Sequence, residues 1–122
     1  MEPNVPLGTF EEQVMVAVLR TGEGAYGMRV RREIERVTDR EVAIGAVYAT
    51  LDRLEAKHLV ASSRVPDSGG SHRLFRVTRQ GVAGLEATRA MRERLWHGVR
   101  LQGAGVSSLV GGAPSSRESL NR

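Results

Sequence analysis

The sequence predicts a mainly α-helical α+β fold: three short helices, a β-hairpin and a long closing helix. Three observations carry this reading. Apolar residues recur at helical spacing through residues 10–20, 26–37 and 44–58. A Gly-rich turn then separates two short strand-like runs, 59–65 and 72–77. A fourth helical run covers 79–100, and the Gly/Ser-rich remainder, 101–122, has no periodicity and is expected to form a flexible tail.

Composition narrows the possibilities. A chain of 122 residues suits one domain with a modest core. With two Phe, two Tyr and one Trp, that core must come mainly from Val, Leu, Ile, Ala and Met. The formal charge is +4 and Lys57 is the sole lysine, so the basicity belongs to arginine. Arginine offers forked donors suited to phosphate and guanine, although genome composition would produce the same bias. Lacking cysteine, the chain has no disulfide, thiol nucleophile or Cys-based zinc site. His58, His72 and His97 share no helical spacing, so no metal is expected. No Ser/His/Asp arrangement, P-loop or dinucleotide-binding glycine pattern is present, so neither an enzyme nor a cofactor is expected. No run approaches the ~18 apolar residues of a membrane span, and the opening MEPNVPLGTFEE is not a signal peptide. A soluble, cytoplasmic protein without membrane contact is the expectation.

The elements follow in order. Residues 1–8 are expected to form an extended arm, punctuated by Pro3, Pro6 and Gly8. Thr9 and Glu12 have capping-box spacing for a first helix over 10–20. Phe10, Val14, Ala17 and Val18 make its stripe, yet Met15, Val16 and Leu19 leave it apolar nearly all round. So apolar a helix in a small domain calls for a partner surface, with Val14, Met15 and Val18 as candidate dimer contacts. After the turn at Thr21–Gly24, a second helix places Tyr26, Val30, Ile34 and Val37 inward and Arg29, Arg32, Glu33 and Arg36 outward. Thr38-Asp39-Arg40 breaks it just before the third helix, which is the outline of a helix-turn-helix.

On the third helix, Ile44, Val47, Leu51, Leu54 and His58 fall on the core side at ~100° per residue. Gly45, Ala49, Asp52, Arg53 and Ala56 point away, with Tyr48 on one flank and Ala43 and Ala46 near the helix start. Small side chains there let a backbone approach base edges, and Tyr48 and Arg53 beside them can hold phosphate or read a base. The hairpin turn is expected at Pro66–Ser71, with Phe75 and Val77 inward and Leu74 and Arg76 outward. Arg64, His72 and Arg73 gather towards its tip as candidate phosphate contacts, joined by Arg29 from the second helix; a merely solvated hairpin is the plainer alternative. Thr78 is a suitable N-cap for the last helix. Val82, Leu85, Met91, Leu95, Trp96 and Val99 cover about half its circumference, more than one packing contact needs. Leu85, Met91, Leu95, Trp96 and Val99 are therefore the candidate dimer contacts of this helix.

These residues resemble a known family, the PadR-like transcriptional regulators. The resemblance begins at Leu7-Gly8-Thr9-Phe10-Glu11 and continues in Ala25-Tyr26-Gly27-Met28-Arg29-Val30. It centres on residues 42–55, VAIGAVYATLDRLE, and closes with Leu59-Val60, the SGGSHR turn and Phe75-Arg76-Val77-Thr78-Arg79-Gln80-Gly81. It implies a winged helix-turn-helix over 9–78, a C-terminal dimerisation helix over 79–100, and a homodimer that represses by binding a palindromic operator in double-stranded DNA. It further implies that Tyr48 touches the DNA backbone and that the wing reaches a minor groove. Ala43 stands where serine is common, Ala49 where proline is common, and His58 where glycine usually follows the helix. Some relatives bind small effectors between their last helices, which makes Trp96, Met15 and Val99 a candidate pocket for a planar or phenolic molecule. The alternative from another class is a winged-helix module that binds protein rather than DNA.

Overall fold

The computed structural model describes residues 6–102. Residues 1–5 of the expected arm and 103–122 of the expected tail lie outside the described residues. Four helices and one antiparallel hairpin follow in the order α1 (Thr9–Thr21), α2 (Gly27–Thr38), α3 (Ile44–Ala56), β1 (Val60–Asp67), β2 (Gly70–Val77) and α4 (Arg79–Trp96). The described chain falls into two compact units, the first ending at Met91 and the second beginning at Arg92. The first unit therefore includes most of α4 as well as the helix-turn-helix and the hairpin.

The core of the first unit is aliphatic, as the scarcity of aromatics requires. Val14, Met15 and Val18 of α1, Val30 and Ile34 of α2, and Val47, Leu51 and Leu54 of α3 are buried with Leu59, Val60 and Phe75. Val14, Met15 and Val18 are thus spent on the intramolecular core and offer no surface to a partner. On α1 the apolar residues left in solvent are Val16 and Leu19. The helix begins one residue earlier than its T-x-x-E spacing suggested. Gly8 is the N-cap, and its N–H donates to the Glu11 carboxylate (3.0 Å). Val37, expected inside, is 52% exposed because α2 is already leaving the core there.

Two junctions set the relative placement of helices and hairpin. Between α2 and α3, Asp39 adopts a left-handed conformation (φ 56°) and donates its N–H to Glu35 O (2.9 Å). The Glu35 carboxylate accepts the Val42 N–H (2.9 Å), which closes the turn. Between α3 and β1, Leu59 N–H donates to Leu54 O and His58 N–H to Glu55 O, both at 2.9 Å, the paired bonds of a Schellman stop. His58 occupies its left-handed position (φ 65°) and is exposed, so it is not the core residue its helical phase suggested. Beyond the hairpin, Thr78 Oγ1 accepts the Gly81 N–H (3.0 Å) and donates to His58 O (2.7 Å), capping α4 as expected and pinning it to that stop.

The hairpin is longer and tighter than expected. Its strands pair from Val60↔Val77 to Asp67↔Gly70, so Pro66 and Ser71 are in the ladder and only Ser68 and Gly69 form the loop. An Asp67 carboxylate oxygen accepts the Gly69 N–H (3.0 Å), and Gly70 takes φ 129°, a conformation that favours glycine. A third rung joins the sheet at Tyr26, which bridges Leu74, while Phe75 N–H donates to Ala25 O (2.9 Å). Leu74 is accordingly half-buried, and Tyr26 stands outside α2 as its N-cap.

At its start α4 lies against the core through Gly81, where a Cβ would collide with Leu59 O and press on Val77 Cγ1 (2.7 Å). Leu85 packs against the same core, and buried Thr88 accepts the Leu7 N–H (3.1 Å), tying down the end of the arm. In the second unit α4 runs on to Trp96, four residues short of the expected end, before Gly98 turns the chain at φ 76°.

His58→Gly removes a left-handed side-chain penalty of ~1 kcal/mol or more, partly offset by the greater unfolded entropy of glycine. The variant is expected to melt a few degrees higher; a lower melting temperature would show that the His58 conformation is not strained.

Candidate nucleic-acid interface

The first two turns of α3 present the face that the sequence assigned to a reader. Ala43, Gly45, Ala46 and Ala49 are all exposed, and a Cβ placed on Gly45 would meet nothing within 4 Å. Ala43 is the N-cap and has no side-chain group to satisfy the first amides. The surface is therefore backbone-rich and low, suited to close approach. Tyr48 borders it at 37% exposure. Its ring packs directly against Gly27, where any Cβ would overlap the ring and the hydroxyl. Gly27 thus lets the phenol rest at the N-terminus of α2, where unpaired amides and the helix dipole favour an anion.

The wing reaches this end of α2 through stacked rings. His72 stacks on Tyr26 (centroids 4.8 Å apart, 16° between planes) and pairs with Asp67 across the strands. Arg29 lies 6.0 Å over the other ring of that pair, Tyr26, and its Nη1 donates to Gly24 O (3.4 Å). Arg29, Tyr26, His72 and Tyr48 therefore share one edge of the fold. Arg64 is exposed on β1 with a long bond to Ser71 Oγ (3.4 Å), which leaves its guanidinium accessible.

Two arginines are placed differently from expectation. Arg73, assigned to phosphate, turns inward instead. Its Nη2 donates to Asp52 (2.8 Å) and Glu55 (2.7 Å) on α3, its Nε to Ser62 Oγ (3.3 Å), and its guanidinium covers the Phe75 ring at 4.8 Å. Glu55 in turn accepts from Ser62 Oγ (2.8 Å). The physical cause is plain: two carboxylates one turn apart on α3 form a site that the hairpin arginine fills. Arg73 is thus a brace between wing and helix. Arg53, assigned to a base edge, donates to the buried Thr50 hydroxyl (3.1 Å) and leans towards the start of α1. Burial raises the Glu11 carboxyl there, but bonds from Lys57 and Gly8 and the charges of Lys57 and Arg53 outweigh it and hold it low.

The structure therefore brings together Ala43, Gly45, Ala46, Ala49, Tyr48, Arg29 and His72, leaves Arg64 exposed on the wing and Arg53 exposed further along α3, and withdraws Arg73 into the brace. Tyr26, Gly27, Asp52 and Glu55 take part without having been singled out for it. An alternation of Asp52 and Glu55 with a hairpin arginine was the only sequence signal for the brace. Of the apolar candidates on α4, Leu85 and Met91 are half-buried, whereas Leu95 (67%), Trp96 (53%) and Val99 (50%) are exposed. Met15, proposed as a pocket neighbour of Trp96 and Val99, is sealed in the core. A groove of ≈ 290 Å³ between α1 and α4 is lined by Glu12, Val16, Leu19, Val82, Leu85, Glu86 and Arg89. Among the described residues no group of three His, Cys, Asp or Glu could hold a metal, and no helix is long and apolar enough to cross a membrane.

The hydrogen bond from Arg73, then that from Ser62, holds the Glu55 carboxyl below its ordinary value of 4.5. The brace is therefore fully formed above that value and is lost as pH falls through the lower value of the folded state. Amide exchange across residues 60–77 is expected to quicken in acid ahead of α1–α3. Arg73→Ala and Glu55→Gln are each expected to produce the same loosening at neutral pH, and to be non-additive when combined. Unchanged exchange in both variants would remove the brace.

The fold has known counterparts. RosR of H. salinarum superposes with a TM-score of 0.62 at 23% identity, over 77% of this chain and 81% of that one. A PadR-like transcriptional regulator from Bacillus cereus gives 0.62 at 19%, over 74% and 86%. A PadR family transcriptional regulator from Eggerthella lenta gives 0.60 at 24%, over 70% and 75%. At these identities the likeness is one of fold. A comparison with curated proteins found no match. The sequence itself matches the profile of the transcriptional regulator PadR-like family over residues 15–87, from α1 through the winged unit into α4. With the winged helix-turn-helix in place and more than half of the chain matched, the protein belongs to the PadR-like family of transcriptional regulators.

Proposed function

We propose that the chain is a sequence-specific DNA-binding repressor that acts as a homodimer on a palindromic operator. The carrying observation is the exposed, side-chain-poor face of α3 at Gly45, Ala46 and Ala49, bordered by Tyr48 and the wing. Such a face lets the α3 backbone lie close to base edges in a major groove, while Tyr48, Arg29 and Arg64 hold phosphates on either side. Two copies would set their α3 helices about one DNA turn, ~34 Å, apart. Direct base contacts are few on this reading, so pairing of two copies supplies the affinity that one lacks.

Apolar surface supports the pairing. Val16, Leu19 and Val82 on the first unit, and Leu95, Trp96 and Val99 on the second, are large apolar residues left in solvent. Val16, Leu19 and Val82 line one groove with Leu85, and a contiguous apolar patch of this kind marks an interaction surface. Pairing through them removes that surface from water and presents two reading faces to one duplex.

Gly45→Asp tests the reading face without disturbing the fold, since the position is open and an acidic group suits the first turn of a helix. The melting temperature is expected to hold or rise while a gel shift with DNA from upstream of the gene disappears. Wild-type protein that gives no shift at low salt would favour the protein-binding alternative. For the pairing, Leu95→Arg is expected to leave the helical content unchanged and to convert a dimer to a monomer in sedimentation velocity. It is also expected to weaken operator binding by more than about tenfold, the effect of ~1.4 kcal/mol or more.

A further inference from the structure

α2 carries an arginine strip of which the proposed reading face uses only Arg29. Arg29, Arg32 and Arg36 lie along its outer side, and Arg20 reaches them from the end of α1. With Thr21 and Glu33 they line a hollow of ≈ 230 Å³ that contains no apolar side chain. Glu33 sits at its centre, taking Nε of Arg20 (2.7 Å) and both Nε (3.2 Å) and Nη2 (2.6 Å) of Arg36. The bonds from Arg36, then Arg20, hold its carboxyl down at about 2, so it stays ionised and keeps the two guanidinia in place. Arg20 and Arg36 nevertheless remain 48% and 62% exposed, and Arg32 is exposed and makes no hydrogen bond or ion pair among the described residues. Four guanidinium charges against one carboxylate leave a strong local excess.

We infer that this strip is a second DNA-contacting surface, a track for the phosphates of duplex that flanks the operator half-site. Two observations select nucleic acid over an acidic protein. The strip is continuous with the proposed interface, because Arg29 lies over Tyr26 and Tyr26 carries the wing through His72. The hollow also lacks the aromatic or aliphatic anchor at which protein partners concentrate their binding energy. From Arg29 to Arg36 the helix rises ~10 Å, the axial length of about three base pairs. Glu33 works as a clamp: its Oε2 accepts from both Arg20 and Arg36, which holds the two guanidinia side by side on the strip while their outer donors stay exposed. The strip reads no sequence. It adds affinity and salt dependence to whatever α3 selects.

The inference rests on the DNA-binding reading, and the experiment separates the two. Duplexes selected by the full-length protein from random DNA are trimmed to the shortest length still bound, then extended by about one turn, ~10 base pairs, on each side. The wild type is expected to bind the extended duplex about tenfold more tightly, with a salt slope steeper by about one for each phosphate engaged. Arg32→Ala is expected to leave the short duplex and the melting temperature unchanged and to lose about one from the slope on the extended duplex. Equal affinities and slopes on short and extended duplexes overturn the inference while the reading of α3 stands. A polyglutamate peptide that binds wild type but not Arg32→Ala, together with no gain from flanks, also overturns it and assigns the strip to acidic protein. No binding to any duplex removes both.

Discussion

The arrangement of this molecule turns on one guanidinium. A two-stranded hairpin is marginal by itself, and here only its base is buried, at Val60 and Phe75. Beyond that base the strands are held by Arg73, which joins Asp52 and Glu55 of α3 to Ser62 of β1 and caps the Phe75 ring. An isolated exposed ion pair contributes little, ~0–1 kcal/mol, and these groups are partly exposed. The weight of the brace lies in geometry rather than stability. It ties the wing to α3, and it neutralises charge on two carboxylates of the same helix that presents Gly45 and Ala49.

The same residue explains why the sequence was legible at one level and not at another. Helical periodicity, the Asp39 break and the Gly-rich turn placed every element within a few residues, because each signal is local. Burial of Val47, Leu51 and Leu54 followed from phase alone. The partner of Arg73 did not, since an arginine near a hairpin tip reads the same whether it faces phosphate or a carboxylate 21 residues away in sequence. His58 failed for a related reason: its phase was that of a core position, but the Schellman stop ends the helix before phase applies. Helical phase put Tyr48 on a flank of α3, but its seat on Gly27 needs the crossing of α2 and α3, which no spacing within either helix contains.

Apolar character on α1 divides along the same line. Composition showed too much of it for one packing contact, yet could not say which residues served the protomer. Val14, Met15 and Val18 went to the core, leaving Val16 and Leu19 beside Val82 and Leu85 in a shallow groove. The surplus is real, but it is smaller than the helix suggested, and much of the remaining exposed apolar surface is carried by α4.

Charge and shape are also kept apart. α3 offers the closest approach, through Gly45, Ala46 and Ala49, but its ionic groups are turned elsewhere: Asp52 and Glu55 to Arg73, Arg53 to Thr50. Accessible arginines stand on the neighbouring elements, Arg29 and Arg32 on α2 and Arg64 on β1. A surface that must admit base edges cannot also be filled with long cationic side chains, since these would hold the backbone off the groove. Moving them to neighbouring elements leaves the reading face low and lets phosphate attraction act from its borders. On the proposed DNA-binding reading, the low charge of α3 is therefore compatible with recognition, and the placement of the wing and α2, through Arg73 and Gly27, becomes the constraint on it.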